Sequence, residues 1–210
     1  MSTEAAFWNA LAERYSRQPV ENPEAFERKI AITKSKLAPE HVVLDIGCGT
    51  GSLALRLAPA AAHVHGLDFS SEMVRIAKGK AAAQGVSNVT FHVGALDDAV
   101  PFGPESLDGI CAYSLLHLVE DRPAALRRIY RLLKPGGFFI SSNLCLGESW
   151  VPYTPILRVM RWLGKAPRVT VFSKQKLREE IAQAGFVDLA EPDVGAKPTI
   201  AFLVAARPAH

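Results

Sequence analysis

The feature that most limits what this chain can fold into is a rhythm. Short apolar runs alternate with helix-length segments from His41 to Gly137. His41-Val42-Val43-Leu44-Asp45-Ile46 runs into three glycines, 62–67 runs into Asp68, and 88–93 runs into Gly94. Further runs lie at 107–113 and 138–143. The intervening pattern predicts helices over 51–58, 71–84 and 121–133, stopped by Pro59, Gly85 and Pro135. Continuous apolar runs of this length suit strands buried on both faces. Strands alternating with helices make βαβ units, whose right-handed crossovers cover both faces of a parallel sheet. The expected class is α/β, doubly wound and mostly parallel.

The flanks complete the plan. Residues 3–16 predict an amphipathic helix with Phe7, Leu11 and Tyr15 on one side. Pro19 and Pro23 break the chain, and a second helix is expected over 24–37, before Pro39. After the fifth strand the rhythm stops over 144–172, a stretch with Trp150, Pro152, Tyr153, Pro155, Trp162, Pro167 and Phe172 and an expected helix over 153–163. Ser173 is placed to cap a helix over 174–184. Two strands, 186–191 and 199–206, close the chain with a link short enough for an antiparallel pair at the sheet edge. The count is seven strands in one domain, 1–210, divided into an N-terminal helical lid (1–38), a core (39–143), a helical cap (144–172) and a C-terminal helix with edge strands (173–210).

Composition excludes other classes. At 210 residues, 49% hydrophobic and 21% charged, the chain can bury a core and is neither disordered nor fibrous. A net charge of +3 is too small to call for nucleic acid. Cys48, Cys111 and Cys145 form no CxxC pair and show no metal spacing, so free thiols and no metal are expected. No run approaches the roughly 18–20 apolar residues of a membrane span. The start carries Glu4 and Glu13 and does not read as a secretory leader, so a cytoplasmic protein is expected. Nothing in the pattern sets an oligomeric state.

VLDIGCGTG at 43–51 joins the first strand to a helix through Gly47, Gly49 and Gly51. Ligands of such sheets bind at the carboxyl edge, where glycine lets backbone lie against them. The dinucleotide fingerprint G-x-G-x-x-G requires glycine where Ser52 stands. Asp45 at the strand end would repel a pyrophosphate and suit an ammonium group. Asp68 ends the second strand and can accept hydrogen bonds from a ribose diol, with the aromatic face of Phe69 beside it.

VLDIGCGTG, GLDFS (66–70), a loop ending in Pro101-Phe102, SLDGICAYSLLHLVED (106–121) and LLKPGG (132–137) together resemble the motif series of class I S-adenosylmethionine-dependent methyltransferases. The pattern is similar to the small-molecule enzymes of the ubiquinone/menaquinone type. The resemblance implies a Rossmann-like methyltransferase fold and S-adenosyl-L-methionine as cofactor. It implies that Gly47, Cys48, Gly49 and Gly51 line the methionine moiety and that Asp45 faces its ammonium. Asp68 would hold the ribose, Phe69 and Met73 would pack on the adenine, and Tyr113 and Ser114 would border the methionine. The family commonly has an acid directly after the glycine that follows the third strand. This chain has Ala95 there, which leaves Leu96 and Asp97 as adenine contacts.

For the reacting end, methyl transfer is an in-line displacement favoured by alignment and exclusion of water. The N-terminal helix, with Phe7, Trp8 and Tyr15, reads equally as a lid and as a permanently packed element. His117 and Glu148 follow the fourth and fifth strands and are base candidates with Tyr15; the alternatives are a lid contact for His117 and a solvated loop for Glu148. Cys145 reads as pocket lining. Trp150, Tyr153, Ile156, Leu157, Met160 and Leu163 form an apolar wall edged by Arg158, Arg161, Lys165 and Arg168. The expected partner is a small lipophilic or aromatic acceptor. The competing readings are a phospholipid headgroup N-methyltransferase in peripheral contact with a membrane, a non-catalytic cofactor-binding module, and a nicotinamide oxidoreductase.

Overall fold

A computed structural model describes residues 3–96 and 101–210. Helix α1 spans Thr3–Arg17 and α2 spans Pro23–Lys34. Then come β1 (Val42–Ile46), α3 (Ser52–Leu57), β2 (His63–Asp68), α4 (Ser71–Ala83), β3 (Val89–Val93), β4 (Leu107–Tyr113), α5 (Arg122–Leu132) and β5 (Leu133–Leu144). Helices α6 (Tyr153–Trp162) and α7 (Lys174–Gln183) precede β6 (Val187–Ala190) and β7 (Ile200–Ala206). The strand order is β3-β2-β1-β4-β5-β7-β6, with β7 antiparallel to both its neighbours. Six strands therefore point one way, and their carboxyl ends share one edge.

Side-chain caps set the helix starts. Ser70 accepts from Met73 N at 3.2 Å, Ser173 from Lys176 N at 3.0 Å, and Asp121 from Ala124 N at 2.9 Å. Each satisfies a backbone donor that the first helical turn leaves free. One apolar layer joins α2, α3 and α4 to one face of the sheet through Ile30, Leu53, Leu57, Val74 and Ala77. The other joins α5 and α7 to the opposite face through Leu126, Ile129, Leu177 and Ile181. Within this second layer Arg122 on α5 forms a two-pronged pair with Glu180 on α7, at 2.9 and 3.2 Å, and its guanidinium lies 3.9 Å from the centre of the Phe172 ring.

Two boundaries differ from expectation by three residues or more. Helix α2 ends at Lys34 rather than 37, with the Ser35, Lys36 and Leu37 N–H groups bonded to carbonyls of the last turn. Strand β5 begins at Leu133, before Pro135-Gly136-Gly137. Those residues bulge: Leu107 pairs with Leu133 and Gly109 already with Phe138. The bulge is held by the C-terminal chain, because Gly136 N donates to Arg207 O at 3.1 Å and Arg207 N donates to Gly137 O at 2.8 Å.

Among the described residues no helix is long and apolar enough to cross a membrane, and no group of His, Cys, Asp or Glu is arranged to hold a metal ion. A groove of about 380 Å³ opens at the amino edge of the sheet, lined by Lys36, His41, Asp108 and Lys134. Of the two acids that line it, Asp108 and Asp188, the first is already engaged, pairing with Lys134 at 2.7 Å and accepting from Val42 N at 2.8 Å. The chemistry-bearing groups gather at the other end.

Candidate functional site

At the carboxyl edge the glycine loop leaves β1 and turns into α3. Gly47 N and Cys48 N both donate to Leu67 O, at 2.7 and 3.1 Å, and Gly49 N donates to Asp68 Oδ2 at 2.9 Å. Gly51 N donates to Cys48 O at 2.9 Å. Four loop N–H groups are thus spent inside the protein, so this is not the open nest of donors that cradles a phosphate. Gly49 has the openness a close ligand needs: a Cβ built there would meet only Tyr15, at 3.8 Å. Gly51 has a packing reason as well. A Cβ there would lie 2.8 Å from the Phe91 ring and 3.1 Å from Ala77, and its φ is +79°.

Below the loop lie two acids. Asp45 is 1% exposed and its Oδ2 has no hydrogen-bond partner. Burial pushes its pKa up to about 8, assisted by the neighbouring Asp68 and opposed by a hydrogen bond from the Ala54 backbone. Asp68 accepts from Gly49 N and from Ser70 N, each at 2.9 Å, and burial raises its pKa against those two bonds. Neither acid has an ion pair among the described residues. Two desolvated carboxylates with an oxygen left unsatisfied form a site for a cation or a strong donor. A pyrophosphate is the least suitable occupant.

Tyr15 of α1 hangs over this pair. The residue is 46% exposed, but burial raises the phenol pKa, and the charges of Asp68 and Asp45 push the same way. Helix α1 is docked rather than loose: Asn9 Oδ1 accepts from Ser70 Oγ at 2.7 Å and from Glu72 N at 3.2 Å, and Glu13 pairs with Arg75 at 2.6 Å. Phe69 is half-buried beside Asp68, whereas Met73 is 2% exposed and offers little surface to a ligand. Leu96 is half-buried against the second core layer, and Asp97 lies outside the described residues.

The tip of β4 is built from α2 and β5. Tyr113 OH is 2.8 Å from Thr33 Oγ1 and donates to Lys29 O at 3.3 Å, and its pKa is raised by burial. Its hydroxyl is committed to holding α2. Ser114 is exposed and takes φ +53°, a left-handed conformation uncommon for a residue with a Cβ, while its N–H donates to Ser142 O at 2.6 Å. Asn143 accepts from Leu115 N and Leu116 N, at 3.2 and 2.7 Å, and fixes the turn that carries His117. Burial lowers the His117 pKa to about 4 against the opposing effect of Asn143, and its Nδ1 is buried without a partner. The imidazole is therefore neutral at pH 7. Cys145 is buried in the second core layer, and burial raises its thiol pKa to about 11, so it is no nucleophile. Glu148 is exposed on the loop beyond β5 and is not drawn in with Asp45 and Asp68.

Sequence reasoning missed Lys29. Its Nζ donates to Ser142 Oγ at 2.8 Å, it has no ion pair among the described residues, and burial lowers its pKa. Ser142 is paired with Tyr113, so this cation stands at the same sheet edge as the acids. A helical period could have placed Lys29 beside Thr33, but not the first against β5 and the second against β4.

A methyltransferase domain family matches residues 43–137, from β1 to the β5 bulge. The ubiquinone/menaquinone biosynthesis C-methyltransferase UbiE of Geotalea daltonii is 39% identical over 114 residues, 52% of this chain and 48% of the relative. The chain thus spans about half the length of that protein. The demethylmenaquinone methyltransferase of Geobacillus kaustophilus is 30% identical over 183 residues, 77% of this chain and 75% of the relative. The crystal structure of the Bacillus subtilis YcgJ protein shares the fold, with a TM-score of 0.73 at 20% identity, covering 87% of this chain and 99% of that one. From the doubly wound sheet, the glycine loop over paired acids and a relative matched over three quarters of its length, the chain belongs to the class I S-adenosylmethionine-dependent methyltransferases.

Proposed function

We propose that the chain transfers a methyl group from S-adenosylmethionine to a small lipophilic or aromatic acceptor by in-line displacement. One observation carries the cofactor side of this reading: the buried Asp45–Asp68 pair, with Asp45 Oδ2 unsatisfied beneath a loop that has no phosphate nest. The group that fits there is cationic, and S-adenosylmethionine supplies, when bound, a sulfonium-activated methyl. Asp45 takes the ammonium side, and Asp68, already fixed by two backbone donors, takes the ribose hydroxyls. Gly47, Cys48 and Gly49 offer backbone surface rather than N–H donors, Phe69 an aromatic face and Leu96 an apolar edge. Gly51 and Met73 support this wall from behind, and Tyr113 and Ser114 border the methionine end. Tyr15 closes the top and excludes water.

The quinone-type relatives support a lipophilic acceptor. Its oxygen would meet Lys29 and the neutral His117 at the tips of β4 and β5. Lys29, a cation with a hydroxyl as its partner, suits a phenolate, enolate or carbonyl oxygen. His117 contributes positioning more than basicity, since a pKa near 4 leaves it a weak base at neutral pH.

Calorimetry with S-adenosylhomocysteine and with NAD tests the reading. The former should bind in the micromolar range, lose at least about tenfold in Asp68→Ala, and meet no competition from NAD. Equal affinity in wild type and Asp68→Ala removes the ribose role. In a methyl-transfer assay across phenols, quinols and amines, Lys29→Met should raise the acceptor KM and leave S-adenosylhomocysteine affinity unchanged. A change in the latter alone moves Lys29 to the cofactor.

A further inference from the structure

We propose that the outer face of α6 docks this protein on an anionic lipid bilayer. Helix α6 contributes no buried residue. Ile156, Val159, Met160 and Leu163, at helical spacings of three and four, keep 42, 55, 38 and 51% of their surface exposed. Trp162 beside them is 84% exposed and Trp150, just before the helix, 93%. Single exposed apolar residues are ordinary, but a continuous stripe between two bare tryptophans is not.

The stripe cannot simply fold inward, because the inner side of the segment is already tied down. Arg161 pairs with Glu4 of α1 at 3.0 Å, and Arg168 N donates to the same carboxylate at 3.3 Å. Thr170 N donates to His117 O at 2.7 Å and Gly147 N to Phe172 O at 2.8 Å. These bonds hold the segment across the tips of β4 and β5 and fix which side faces out.

Charge selects the occupant. Between Glu148 and Glu179 the chain has no acidic residue, and it has seven basic ones at 158, 161, 165, 168, 174, 176 and 178. Arg161, Arg168, Lys174, Lys176 and Arg178 have carboxylate partners. Arg158 and Lys165 have none among the described residues; both are exposed, Arg158 one helical turn before Trp162 on the same side and Lys165 just past Leu163. Tryptophan at the margin of an apolar face, with free basic side chains beside it, is the arrangement of a helix lying in a bilayer interface. A second copy is a poorer occupant, since a two-fold contact would set the Arg158 and Lys165 rims against their own like charges. The docking inference stands without the acceptor reading. If both hold, a lipophilic acceptor reaches the strand tips from the membrane side.

The test uses the full chain with sedimented vesicles of phosphatidylcholine alone and with about one third phosphatidylglycerol. Expected is co-sedimentation with the anionic vesicles, weakened by salt, with a blue shift of tryptophan emission. Val159→Asp with Trp162→Ser should reduce partitioning at least about tenfold. Arg158→Gln with Lys165→Gln should reduce it about tenfold or more on anionic vesicles and not on neutral ones. All four side chains are exposed, so Tm and S-adenosylhomocysteine affinity should stay at wild-type values, which separates this claim from the cofactor site. No sedimentation with either vesicle, or equal sedimentation of wild type and variants, overturns the proposal. So does a dimer in light scattering that Val159→Asp with Trp162→Ser dissolves while vesicles capture nothing, which would give the face to a second copy.

Discussion

Asp45 shows how one residue ties burial to binding. With its pKa pushed up to about 8, its carboxyl is mostly protonated at pH 7 in the free protein. A ligand ammonium placed against Oδ2 favours the charged form and lowers that pKa, so the proton leaves. Binding of S-adenosylhomocysteine at pH 7 should therefore release close to one proton, measurable as a dependence of calorimetric enthalpy on the ionisation heat of the buffer. Asp45→Asn should abolish the release and weaken binding; unchanged release in that variant would assign the proton elsewhere. His117 presents the opposite case, a base kept neutral by burial. His117→Gln, which keeps a hydrogen-bonding side chain, should cost less than about 10² in turnover, and a larger loss with a pH profile tracking one group would restore it as general base.

At the scale of elements, the site depends on how α1, α2 and the α5–α7 pair are held against the sheet. Asn9 binds the start of α4 and so sets Tyr15 above the glycine loop. Tyr113 and Lys29 staple α2 over the strand tips. On the far face, the buried Arg122–Glu180 pair joins two helices whose partners lie 58 positions apart. Arg122→Ala strips buried Glu180 of its two-pronged partner, leaves it only Lys176 at 3.8 Å, and should cost up to roughly 3–5 kcal/mol in chemical denaturation. Replacing both residues with apolar ones of similar volume should recover most of that loss. These contacts explain what the chain alone did not disclose at this level. Helix caps such as Ser70 and Ser173 act over three residues and are legible as written. The β5 bulge is held by Arg207, some seventy residues on, and the period of the pattern contains no trace of it.

For the whole molecule, the buried titrating groups predict a stability profile. His65 and His117, both held near pKa 4, favour folding fully above the ordinary histidine value of 6.5, and that contribution is lost as pH falls toward 4. Asp45 acts in the reverse sense: its raised pKa favours folding below 3.8, and the contribution is lost as pH rises through about 8. The ligand-free protein should therefore have its highest Tm near pH 6.5, falling on both sides. S-adenosylhomocysteine should flatten the alkaline side, as should Asp45→Asn; an alkaline fall that persists in that variant would exclude Asp45 as its source. The sequence by itself determined the layer order, the seven strands and the glycine loop with its two acids. Those follow from local periodicity and from residue types whose conformational needs reach only a few positions. The tertiary structure decided that the loop's donors are spent inward, that Gly51 makes room for Phe91, that Lys29 reaches Ser142 at the tip of β5 and that the face of α6 is left bare. Each of these depends on which distant side chain occupies the adjoining space, and that is settled only when the layers pack.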